Sequence, residues 1–170
     1  MSEEYDHRNC QSLFGYAREV HKRSRGVCQL CGYGKGPEVE FDLWRQLTVE
    51  HLIGESQGGD LKQIREAITR WFPSLSPTER ERLAKRIHGA NTVTACNFCN
   101  SASSRYRFSK GMTQLISEAE GAPDQVVNVI GRELCKVLEH KRADMQWKLK
   151  SVRGAFEKHV KPELRRGNAE

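Results

Sequence analysis

Asn91-Thr92-Val93-Thr94-Ala95-Cys96-Asn97-Phe98-Cys99-Asn100 is the stretch on which the fold turns. Thr92-Val93-Thr94 is β-branched and reads as a short strand. It runs into a Cys-x-x-Cys pair, Cys96 and Cys99, beyond which residues 97–108 read as a helix. A second pair, Cys28-Gln29-Leu30-Cys31, stands upstream. Each knuckle sets two thiolates on one side of a tight turn, at the ~2.3 Å reach of a tetrahedral zinc, and two knuckles complete four ligands. A closed four-cysteine site has no open coordination position, so the expected zinc is structural. The 64 residues between the pairs exceed a zinc-ribbon gap and must carry structure of their own. A redox Cys-x-x-Cys would not explain two pairs. Cys10 and Cys135 lack this spacing and read as ordinary buried thiols.

Working outward, Leu47-Thr-Val-Glu-His-Leu-Ile53 alternates and reads as a first short strand, followed by a loop from Gly54 to Gly59. Residues 61–70 and 77–88 read as helices, the second opened by Ser76 as N-cap, Pro77 at the first position and Glu79 at the third. Residues 8–24 can form a helix with Leu13, Phe14, Ala17 and Val20 turned to a core, ended by Gly26. Residues 111–120 are a further helical candidate, and Pro123-Asp124 starts a long final helix toward Val160. The expectation is an α+β fold. A core at 28–110, with a helical insertion at 61–88, sits between helical segments at 1–27 and 111–170. The insertion carries Trp71, Phe72 and a charge of +4; it is either a decorating hairpin with a small apolar seam or a DNA-contacting arm. In the last helix Ile130, Leu134, Leu138, Met145, Leu149, Val152 and Phe156 recur at helical spacing. That stripe either packs on its own domain or forms a homodimer.

A chain of 170 residues, 37% hydrophobic and 29% charged, has enough apolar residues for one domain and no run near the ~20 that span a membrane. Met1-Ser2-Glu3-Glu4-Tyr5-Asp6 is acidic and lacks the apolar stretch of a secretory signal, so a cytoplasmic protein is expected. In that reducing compartment six cysteines point to metal rather than disulfides. The net charge of +6 is concentrated in residues 61–88, 89–110 and 132–170, and 32–60 is acidic. Such patchiness points toward a nucleic-acid partner, with a solvated basic face as the alternative.

The motif lies between and around the knuckles. Glu50-His51 ends the first strand, Glu55-Ser56-Gln57-Gly58-Gly59 follows in the loop, Asn91 precedes the second strand, and Asn100 follows Cys99. Together these resemble the HNH endonuclease family, over residues 28–107 with the insertion excepted. The resemblance implies a ββα-metal finger: two strands and a helix gripping one divalent ion. It implies His51 as general base, Asn91 as the residue that ties down the loop and aims His51, and Asn100 with Glu50 as ligands of a catalytic Mg²⁺. A neutral imidazole can take a proton from water near pH 7, and an amide both donates and accepts. The sequence departs from the family in three places. Glu50 stands where Asp is usual, Gly54 where Pro is frequent, and Ser104 where nuclease colicins carry a further His. Neighbouring strand residues face opposite ways, so Glu50 and His51 share a site only if the strand ends there.

The implied activity is metal-dependent hydrolysis of DNA to 5′-phosphate and 3′-hydroxyl ends, in a restriction, phage or host-defence setting. Arg23, Arg25, Arg105, Arg107 and Lys110 flank the motif and are the expected phosphate contacts. The alternative is a zinc-stapled DNA-binding module without cleavage.

Overall fold

A computed structural model describes residues 18–103 and 107–166. The elements are α1 (Arg18–Ser24), α2 (Phe41–Trp44), β1 (Leu47–His51), a 3-10 turn (Glu55–Gln57), α3 (Leu61–Trp71), α4 (Pro77–Asn91), β2 (Thr92–Cys96), α5 (Asn97–Ser103), α6 (Met112–Glu118) and α7 (Pro123–Ala155). A π-helical segment (Phe156–Val160) and α8 (Lys161–Arg166) continue α7. This is a helix-rich α+β structure whose sheet, among the described residues, is β1 against β2. The strands are antiparallel, with Leu47 opposite Cys96, Glu50 opposite Val93 and His51 opposite Thr92. No helix of the described residues is long and apolar enough to cross a membrane.

Local chemistry sets the boundaries. Ser76 Oγ accepts from Glu79 N at 3.3 Å while Glu79 Oε2 accepts from Ser76 N at 2.8 Å, the reciprocal box that starts α4. Asp60 caps α3 by accepting from Gln63 N at 2.9 Å. β1 stops at His51, two residues before the expected end, because Leu52 and Ile53 turn into the core, 2% and 0% exposed. β2 runs on to Cys96, so the second knuckle starts within the strand. α5 ends at Ser103 rather than continuing to 108. Of the expected helix at 8–24 only Arg18–Ser24 is described; Cys10, Leu13, Phe14 and Ala17 lie outside the described residues, as do Ser104 and Arg105.

Two apolar clusters organise the packing. The larger joins Ile64, Ala67 and Ile68 of α3, Leu83, Ala84 and Ile87 of α4, Met112, Leu115 and Ile116 of α6, and Val126, Ile130 and Leu134 of α7, closed by Leu52, Ile53 and Val93. The insertion is therefore the main core of the molecule and not a decoration. Its apolar seam is extensive because α6 and α7 cover it. The smaller cluster gathers Cys28, Leu30, Leu47, Ala95, Cys96, Cys99 and Met145. Leu138 of α7 touches both. The final-helix stripe is thus divided. Ile130, Leu134 and Met145 are buried in their own chain, Leu138 and Leu149 pack partly against it, and Val152 and Phe156 remain exposed. Cys135, expected to be buried, is exposed, since it follows Leu134 onto the outer face of α7.

Candidate functional site

The four knuckle thiols converge. The Sγ atoms of Cys28, Cys31, Cys96 and Cys99 all lie within 4.8 Å of one another, and Cys31 Sγ stands 3.8 Å from Cys96 Sγ. Two sulfurs bound at ~2.3 Å on a tetrahedral ion are separated by about 3.8 Å. The first knuckle is shaped by Gly32 N donating to Cys28 O at 2.9 Å and Cys28 N to Tyr33 O at 2.9 Å. Gln29 then docks it on β2, its N–H donating to Thr94 O at 2.8 Å and its Oε1 accepting from Thr94 N at 3.0 Å. Crowding splits the thiols. Sulfur hydrogen bonds from Cys96 and Cys99 pull Cys28 strongly down, hydrogen bonding to Cys28 pushes Cys99 up, and burial pushes Cys31 up to about 11. Four thiolates cannot coexist here without a cation between them, and a divalent ion such as zinc fits the donor set.

His51 closes β1, half-buried, and its pKa is held below the ordinary 6.5 by burial, against the opposing pull of Glu50 and Asp60. The loop after it is fixed by Asn91, which is fully buried. Asn91 Oδ1 accepts from Ile53 N at 2.9 Å, and its Nδ2 donates to Ile53 O at 2.9 Å and Gly59 O at 2.9 Å. Asn91 also supplies its main-chain carbonyl to Leu52 N at 2.8 Å. Gly58 sits at φ 83, and a Cβ on Gly59 would lie 1.7 Å from Ile53 O, so the Gly-Gly pair is required sterically. Gln57, absent from the expected site, completes the clamp. Its Nε2 donates to Phe108 O at 2.7 Å and its Oε1 accepts from Phe108 N at 3.0 Å.

Glu50 faces away from His51, as strand alternation requires. It is 5% exposed, and its Oε1 accepts from Ser103 Oγ at 2.8 Å and from Lys141 Nζ at 2.5 Å. Lys141, on α7 and 4% exposed, also donates to His51 O at 3.0 Å. Asn100 Nδ2 donates to Thr48 Oγ1 at 2.8 Å. Glu50 and Asn100 therefore lie on one face, between β1 and α5. There the carboxylate already carries an ammonium partner. A Mg²⁺ ligand set does not fit this arrangement, because a dication beside Lys141 would meet like charge in a buried site.

The expected phosphate contacts divide as well. Arg23 is engaged internally, donating to Gly89 O at 2.7 Å, Thr92 O at 3.1 Å and Thr92 Oγ1 at 3.2 Å. Lys110 pairs with Glu118 at 2.6 Å. Arg25, at φ 55, and Arg107 are exposed. In α7, Arg142 donates to Gln29 O at 2.7 Å and Lys148 to Ala102 O at 3.0 Å, so part of the C-terminal positive charge holds the knuckles in place.

A residue outside the expected site stands against the candidate base. His88, in the last turn of α4, places its Nε2 3.2 Å from His51 Nε2. A His three residues before the motif Asn was the available signal. No protein-family model, no curated protein and no solved structure matches this chain.

Proposed function

We propose that the chain is a DNA endonuclease of the HNH type, with His51 as the base that deprotonates the attacking water and products ending in 5′-phosphate and 3′-hydroxyl. The observation that carries this reading is the triple hydrogen bonding of Asn91 into the Ile53–Gly59 loop directly after His51. A half-buried neutral imidazole followed by a loop fixed to this degree meets the demand of a positioned base. The knuckle ion would do no chemistry. It would hold α5 and the first knuckle against the strand that carries His51. In the family a divalent ion stabilises the leaving oxygen. Here Glu50 is held by Lys141, and the proposed proton transfer to His51 does not pass through such an ion.

A specific observation favours a second reading, the zinc-stapled DNA-binding module: the same buried Glu50–Lys141 pair occupies the expected ligand. Plasmid nicking in Mg²⁺ and in excess chelator separates the two. His51→Ala is expected to lower cleavage by about 10²–10⁴-fold with bound zinc unchanged. Binding of plasmid with no nicking by the wild type in any divalent ion would establish the module instead. A homodimer cutting both strands would have to use the exposed end of the last helix, where Val152, Phe156, Val160 and Leu164 follow at four-residue spacing. Light scattering of the wild type with and without DNA tests this, and a 19.5 kDa particle under both conditions would exclude it.

A further inference from the structure

The geometry points to a second metal site, formed by His51 Nε2 and His88 Nε2 and taking a single exchangeable divalent transition-metal ion such as Ni²⁺ or Zn²⁺. The two nitrogens stand 3.2 Å apart, with ring centroids at 5.2 Å. Nitrogens bound at about 2.1 Å to one ion are separated by about 3.0 Å at a right angle and about 3.4 Å at the tetrahedral angle. The observed separation lies between these limits. Without an ion, the approach requires one ring to carry its proton on Nε2 and the other on Nδ1. With an ion both rings carry it on Nδ1, and both lone pairs point to the same place.

The charge around the pair is mixed, so the case for an ion rests on the geometry of the two nitrogens. Burial lowers the pKa of both imidazoles, the direction that favours the neutral rings ligation requires. Asp60 acts on both rings with negative charge, against the positive charge of Lys141 on His51 and of Arg65 on His88. The two ligands come from elements held rigidly together. His51 ends β1, His88 lies in the last turn of α4, and Asn91, three residues on, is bonded into the loop that leaves His51. Among the described residues the knuckle cysteines are the one cluster offering three or more ligating side chains. An ion on the His pair would thus keep water in its remaining positions. It would be open and exchangeable where the cysteine-bound ion is closed, and it would favour imidazole-seeking metals over Mg²⁺.

The site also bears on the proposed activity, and this part rests on that reading. A metal on His51 Nε2 occupies a lone pair of the base, so Ni²⁺ would act as an inhibitor relieved by a chelator too weak to strip the cysteines.

The test uses the full chain without a histidine tag, loaded with zinc and titrated with Ni²⁺ by calorimetry and native mass spectrometry, without DNA. The wild type is expected to take up one Ni²⁺ beyond the cysteine-bound ion. His88→Ala and His88→Gln are expected to weaken that uptake at least tenfold while retaining zinc and helical circular dichroism. His159→Ala, on the exposed tail, is expected to bind as the wild type does. Absence of Ni²⁺ uptake by the wild type, or equal uptake by both His88 variants, would overturn the site. A chain that takes up Ni²⁺ through His88 but cuts no DNA would retain the metal site and lose the endonuclease reading.

Discussion

The two halves of the molecule are stabilised by different physics. The helical half buries aliphatic side chains from α3, α4, α6 and α7, with Ile64, Ile68, Ala84, Ile87, Ile116 and Val126 at 0% exposure. The knuckle half has Leu30, Leu47, Ala95 and Met145 around four thiols. Its sheet has two strands of five residues, and two strands alone are marginal in water. The first half can rest on apolar burial; in the second, four thiols stand close enough to hold one ion, which would add the stability that its small apolar cluster lacks. The candidate site lies where they meet. His51 and Cys96 belong to the paired strands, while His88 and Asn91 close α4.

The largest expected difference between the halves follows from removing a thiol. Cys96→Ser should abolish metal binding at the knuckles, since structural zinc sites contribute ~10–16 kcal/mol of apparent binding free energy that is also folding free energy. Mass spectrometry after treatment with a weak chelator should find no ion on the remaining cysteines, and hydrogen exchange should show β1 and β2 amides exposed while α3, α4 and α6 stay protected. An unchanged melt in the metal-free variant would exclude a stapling role for the ion.

The next effect probes the link between the halves. Lys141→Ala leaves Glu50 buried without its ammonium partner and is expected to cost about 3–5 kcal/mol in urea unfolding. Because apolar replacement of both partners of a buried pair is often neutral, Glu50→Leu with Lys141→Met should restore most of that loss. A double variant as unstable as Lys141→Ala would mean that the pair contributes more than mutual neutralisation. The smallest effect belongs to the helical half. Ile68→Ala, a truncation within a continuous core, should cost about 2–5 kcal/mol without releasing metal. Loss of zinc from that variant would show that the halves do not stand apart.

Much of the site was legible locally because its devices are local. The spacing of Cys28, Cys31, Cys96 and Cys99 encodes a convergence that a distance then bears out. Ser76-Pro77-Thr78-Glu79 starts its helix through bonds within four residues. The resemblance gives Asn91 the task of tying down a loop, and its amide bonds reach Ile53 and Gly59. Arg23, Lys110 and Glu50 show the opposite limit. The sequence suggests a ligand for each, yet Arg23 bonds main-chain carbonyls of its own chain, Lys110 pairs with Glu118 at the surface, and only Glu50 is covered, by Lys141 of α7, because a charge pattern does not say which partner the fold brings near.

By itself, then, the sequence determined the order of strands and main helices, the two knuckles and the loop that carries Gly58-Gly59. These follow from backbone chemistry and short-range spacing. Only the tertiary structure decided that α6 and α7 cover the insertion to make the main core, that Lys141 reaches Glu50 across 91 positions, and that His88 faces His51 across 37. Those pairings depend on how helices stack about a shared apolar surface, which fixes the relative rotation of distant segments, and no local pattern carries that angle.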